Sequence, residues 1–226
     1  MIESTIYEPL HAVMDDLLDL RNGLVEYGCK ACTLGFQEGL NGCCVARGNP
    51  ESRRMIIGEA PGKYEDAQSL PFVGPAGQLM NQIFGSVDFN MDTDWYITNI
   101  VLCRPIAPKG SGKENYTPRM EQRNKCRPFL DAQLRFIQPR IIVTIGLPAT
   151  EAILKQFGYS KFRMGDFRGQ LKTHNFEGIG EVKVFPMLHP AAILHAKSQP
   201  EKHQLYREQT WEDIQRLRQI IDEEGL

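Results

Sequence analysis

Apolar positions recur along this chain in two rhythms. From Leu10 to Tyr27 they fall at Leu10, Val13, Met14, Leu17, Leu18, Leu20, Leu24 and Val25, a helical spacing that stops at Gly28 and predicts an N-terminal helix. Short unbroken apolar runs predict buried strands at Met55–Ile57, Trp95–Asn99, Arg140–Gly146 and Glu181–Pro186. Between and after them, helical spacing returns over Ala76–Phe84, Gln122–Phe136 and Ala149–Phe157, and a polar amphipathic helix is predicted over Gln199–Glu224. Pro128 is expected near the start of its helix or at a kink, because it carries no backbone donor.

Strands alternating with helices predict an α/β fold, a three-layer sandwich in which a central, largely parallel four-stranded sheet is flanked by helices. The 226 residues suit one domain spanning 1–226, with an N-terminal helix and a C-terminal helical extension. Ligands of such sheets gather outside the carboxyl ends of the strands. Three polar groups stand at predicted strand exits: Glu59 within Gly58-Glu-Ala-Pro-Gly62, then Asn99, then His189.

Composition is that of an ordinary globular protein, 42% apolar and 24% charged. No apolar run is long enough to span a bilayer and the N-terminus is acidic, so no membrane association and a cytoplasmic location are expected. A formal net charge of −2 argues against bulk electrostatic attraction to nucleic acid but does not exclude a local basic face. Arg104–Lys113 and Arg119–Arg127 are locally basic, and charge alone reads them as solvated faces balanced by Glu114 and Glu121.

Six cysteines in such a chain point to metal binding or catalysis rather than to stable disulfides. On their own, Cys29 and Cys32 admit zinc, a redox pair or simple burial. The vicinal Cys43 and Cys44 read as buried or surface thiols. Taken without further context, His189 is a structural histidine, Asn99 a turn residue, and Phe72 a core side chain.

The combination of motifs is more specific than any one of them. Gly58-Glu-Ala-Pro-Gly62, Glu65-Asp66, Pro71-Phe-Val-Gly74 with Ala76-Gly77, then Thr98-Asn99, Cys103-Arg-Pro105, Cys126 and Leu188-His-Pro-Ala-Ala192 resemble, in order and spacing, the signatures of the family-four uracil-DNA glycosylases. The chain differs from the usual pattern at Ser69, where glycine is common, in the basic loop Lys109–Lys113, and in the extra pair Cys43-Cys44.

The resemblance implies hydrolysis of the N-glycosidic bond of deoxyuridine in DNA, single- or double-stranded, by a monomer. It implies Glu59, Glu65 and His189 as catalytic residues, with Glu65 nearer the water and Glu59 in the base pocket. Gly58, Ala60, Gly62, Phe72 and Asn99 would form the substrate pocket, with Phe72 stacking on the base and the Asn99 amide matching the N3–H and O4 of uracil. Cys29, Cys32, Cys103 and Cys126 would hold a structural 4Fe-4S cluster, although zinc accepts the same four sulfurs. The segment Pro190–Leu194 would either enter the minor groove as an apolar wedge or simply begin a helix. An iron–sulfur DNA-binding protein of the same fold with altered catalysis, and a zinc-ribbon-like protein, are the alternatives.

Overall fold

The computed structural model describes residues 29–35, 40–112 and 114–226. The helix expected over Leu10–Tyr27 lies outside the described residues. In chain order the elements are β1 (Arg47–Gly48), β2 (Arg54–Gly58), α1 (Lys63–Gln68), α2 (Pro75–Gly85), β3 (Tyr96–Asn99), α3 (Met120–Ile137), β4 (Ile141–Ile145), α4 (Leu147–Leu154), β5 (Lys172–Phe176), β6 (Gly180–Met187), α5 (Pro190–His195) and α6 (Pro200–Glu224). No helix among the described residues is long and apolar enough to cross a membrane.

The sheet has six strands in the order β1-β3-β2-β4-β6-β5, which corrects the expected four. The inner strands β3, β2, β4 and β6 pair in parallel, and they are the four that the apolar runs mark. The two added strands pair antiparallel at the edges. Neither carries an apolar run: β1 is two residues long, and β5, Lys-Thr-His-Asn-Phe, buries only its last residue fully. An edge strand covered on one side needs no continuous hydrophobic stretch, so the signal was absent.

Period-two geometry splits each inner strand between two cores. Met55 and Ile57 join Tyr96, Ile142 and Val184 beneath α3 and α4, whereas Ile56 joins Ile97, Val143 and Phe185 beneath α2 and α6. Trp95, fully buried in the second core, meets Phe84 and Phe89 edge-on at 5.5 and 5.4 Å. Pro128 is the ninth residue of α3 rather than near its start. Buried Phe129, Leu130 and Leu134 on the same helix supply packing that offsets the missing backbone donor.

Two local features carry measurable consequences. Arg168 grips the buried Asp213 with both Nε and Nη2, at 3.0 and 2.8 Å, and so ties the β5 approach to α6. Replacing Arg168 by Leu leaves that carboxylate buried without its partner and is expected to cost about 3 kcal/mol, read by chemical denaturation. Ser69, where the family pattern has glycine, caps α1 in the left-handed region at φ 53°. A side chain there is strained, so Ser69→Gly is expected to stabilise the chain by about 0.5–1 kcal/mol in the same measurement.

Candidate active site and cysteine cavity

The exits of β2, β3 and β6 open on one pocket of about 450 Å³, a size that suits a small-molecule or single-base ligand. Glu59, Ala60, Gly62, Glu65, Phe72, Asn99 and His189 all line it. Gly58 lies under its floor, in register with Asn99. A Cβ at Gly58 would come within 2.4 Å of both the Phe72 ring and the Asn99 Oδ1, so the bare backbone is what lets those two side chains meet. The Asn99 side chain is 2% exposed and its amide makes no hydrogen bond among the described residues. Phe72 sits at φ 56°, a strained conformation for an aromatic residue, and its ring faces the His189 imidazole at 6.1 Å with 28° between the planes.

His189 caps α5, and its Nδ1 accepts the Ala191 N–H at 3.1 Å. A ring nitrogen that accepts cannot carry the proton, so the neutral imidazole holds its hydrogen on Nε2. Desolvation, reinforced by the neighbouring His195, pushes the pKa of His189 down to about 4. Near pH 7 the residue is therefore a neutral Nε2–H donor.

The two carboxylates stand in different surroundings. Both Glu65 oxygens are engaged: Oε1 accepts the Gly74 N–H at 2.7 Å and Oε2 the Gly62 N–H at 3.1 Å. Glu59 Oε1 is buried with no hydrogen-bond partner among the described residues. Burial raises the Glu59 pKa, partly opposed by the Arg123 charge and by the Thr117 hydroxyl. Asp66 faces away from the pocket, held by Asn41.

One wall was not visible in the motifs. Glu114, Asn115, Tyr116 and Thr117 line the pocket from a small hairpin in which Ile106 bridges Asn115 and Arg104 binds the Asn115 side chain at 2.8 Å. His195, which has no motif support, stands at the rim with Leu194. The only signal for these residues is their nearness in sequence to Cys103 and His189.

Cys29, Cys32, Cys103 and Cys126 gather in a second cavity, closed by Ala31, Val101, Leu102 and Phe129. Cys43 joins them: its Sγ lies 3.3 Å from Cys103 Sγ. Among the described residues no three ligating side chains meet closely enough to hold a single ion. The Leu102 N–H points at Cys126 Sγ at 3.4 Å. Cys44, though adjacent to Cys43, turns the other way and donates its thiol hydrogen to the Glu65 carbonyl at 3.2 Å.

Comparison with known proteins places the chain in a family. The model of the uracil DNA glycosylase superfamily matches residues 45–215. The chain is 34% identical over 183 residues to the type-4 uracil-DNA glycosylase of Sulfurisphaera tokodaii, covering 80% of this chain and 77% of that protein. It is 32% identical over 199 residues to the Thermotoga maritima protein of the same description, covering 87% and 91%. For that of Saccharolobus solfataricus the figures are 36% over 148 residues, 66% of this chain and 65% of the relative. The chain belongs to the type-4 uracil-DNA glycosylase family.

In this type-4 family member the segment after His189 is helical, since Pro190–His195 forms α5. Ile193 is buried in that helix, which leaves Leu194 as its half-exposed apolar side chain beside the pocket. In the basic stretches, Arg123 pairs with Glu151 and Arg127 with Asp131.

The tautomer of His189 can be tested directly. Nitrogen-15 NMR is expected to show an Nε2-protonated neutral ring that titrates near 4. Because the folded pKa lies below the ordinary 6.5, the neutral ring favours the fold above about pH 6.5, and that contribution is lost as pH falls through about 4.

Proposed function

We propose that this chain is a uracil-DNA glycosylase that breaks the N-glycosidic bond of deoxyuridine in DNA, yielding free uracil and an abasic site. The observation that carries the reading is the neutral His189 with Nε2–H directed by its Nδ1 hydrogen bond, in a pocket floored by an uncommitted Asn99 amide and the Phe72 ring. As the C1′–N1 bond lengthens, negative charge grows on the base and is shared with O2. A fixed neutral donor at that oxygen stabilises the leaving group without first having to lose a competing charge–charge contact. The Asn99 amide pairs with N3–H and O4, a pattern that cytosine reverses. Phe72 provides the platform for a base swung out of the helix, and Leu194 is the apolar side chain positioned to fill the gap it leaves.

The sugar becomes oxocarbenium-like, and a carboxylate beside it stabilises the cation and orients water. Glu59 is the better candidate, since one of its oxygens is without a partner, whereas Glu65 spends both on backbone amides. Glu65 is then a positioning residue that holds two loops in place. This reverses the division of labour expected from the motifs alone.

The cysteine cavity suits an iron–sulfur group. Its donors are all sulfur, its remaining walls are apolar, and a backbone N–H already faces one sulfur. Cys29, Cys32, Cys103 and Cys126 would hold a 4Fe-4S cluster, whose contribution when bound is structural cross-linking, because glycosidic hydrolysis transfers no net electrons.

The test is incubation with uracil-containing oligonucleotides, single- and double-stranded, followed by alkaline cleavage at abasic sites. Product with uracil and none with cytosine or thymine is expected, and no product from either strand form rejects the proposal. His189→Ala is expected to slow single-turnover excision about 10²–10³-fold while DNA affinity, read by fluorescence anisotropy, changes little. Brown colour and matched iron and sulfide content are expected of anaerobically purified protein.

A further inference from the structure

Cys43 is the sulfur in the cluster cavity that the four-ligand reading leaves over. It is 4% exposed and opposes Cys103 in an isolated antiparallel bridge. The Cys44 N–H bonds the Leu102 carbonyl at 2.7 Å, so Cys43 and Cys103 occupy the adjacent pair without mutual backbone hydrogen bonds. In that pair the Cα atoms lie about 4.5 Å apart and the side chains are at their closest. That spacing falls within the roughly 4.4–6.8 Å a disulfide requires. The sulfurs themselves are already at 3.3 Å. The other vicinal thiol cannot compete, because Cys44 points to the Glu65 carbonyl.

We propose that Cys43 is a resolving thiol for the cluster ligand Cys103: when iron is lost under peroxide, the two close a reversible disulfide that protects Cys103 from irreversible oxidation. The Cys103 thiolate attacks hydrogen peroxide, the O–O bond breaks, and Cys103 becomes a sulfenic acid as hydroxide leaves. The Cys43 sulfur then displaces the second oxygen as water and forms the S–S bond. The two sulfurs give up one electron each, and the peroxide is reduced to two waters. Without Cys43 the sulfenic acid is open to a second peroxide and proceeds to sulfinic acid, which a thiol reductant cannot reverse. The proposal rests on the reading of the cavity as the cluster site.

The experiment starts from the iron-loaded protein, treated anaerobically with a chelator and hydrogen peroxide, then blocked with N-ethylmaleimide and mapped by peptide mass spectrometry. A Cys43–Cys103 cross-link is expected as the dominant fate of Cys103. Dithiothreitol is expected to restore both thiols and the visible absorption on reconstitution with iron and sulfide. In Cys43→Ser, the starting iron content is expected to match the parent. After the same treatment, however, Cys103 is expected as sulfinic or sulfonic acid, with at least a several-fold lower yield of reconstituted cluster. Cys103 joined instead to Cys29, Cys32 or Cys126, or Cys43 recovered as its maleimide adduct from oxidised protein, overturns the proposal. Absence of iron from the starting protein would instead overturn the cluster reading, and the cross-link map would still report on the thiol pair.

Discussion

The Glu65 carboxylate accepts one backbone N–H from the loop before α1 and one from the loop before α2, and most of the site's geometry hangs on that bridge. A carboxylate shared between two amides forms charge-assisted hydrogen bonds, stronger than neutral ones, and it fixes the distance between Gly62 and Gly74. Phe72 lies between those two points. Its φ of 56° costs backbone energy that the chain would otherwise release by turning the ring out of the pocket. The close approach of Gly77 to the Phe72 carbonyl, and of Gly58 to its ring, closes the remaining exits. Glycine is needed at both places because any side chain would occupy the same volume.

The cysteine cavity is mechanically continuous with this bridge. Cys43 faces the cavity while Cys44, one residue on, holds the Glu65 carbonyl. An extended segment presents successive side chains to opposite sides, so a vicinal pair naturally serves two neighbours. The second link is the chain from Asn99 to Cys103, where Ile100 and Val101 bond the carbonyls of Gly58 and Glu59. A group that fixed Cys103 and Cys126 would therefore stiffen the backbone carrying both Asn99 and Glu59, at no chemical cost to the pocket. That is a physical reason for a structural cluster to stand beside a hydrolytic site.

Much of this was legible in the residues because buried parallel strands write themselves as apolar runs. Met55–Ile57 and Ile141–Ile145 are surrounded on both faces, so every position is apolar or small, and their exits could be located to within a residue. The edge strands left no such mark. The division of roles proposed for Glu59 and Glu65 was also illegible, since it depends on which backbone amides lie nearby, and that is decided by loop geometry. The hairpin wall at Glu114–Thr117 is polar, irregular and set by contacts with Arg104 and Pro105 rather than by any periodicity. The sulfur contact of Cys43 with Cys103 required knowing that two segments 60 residues apart pair across a bridge.

The pocket separates the two kinds of charge that the proposed reaction creates. Carboxylates stand at the β2 exit, and the imidazole stands at the β6 exit, two strands away in the sheet order. Between them β4 ends at Gly146, with φ 86° and only His189 close by, so no side chain from the central strand enters the gap. A protonated His189 would be drawn to the carboxylates and would neutralise the group meant for the sugar. Keeping its pKa near 4 removes that attraction at neutral pH, while the Ala191 N–H on Nδ1 fixes which nitrogen keeps the hydrogen. In the proposed reaction the Glu59 oxygen without a hydrogen-bond partner would meet the developing cation, and the neutral donor the developing anion. The low pKa of the histidine and the raised pKa of Glu59 both follow from burial, which disfavours the charged form of each group.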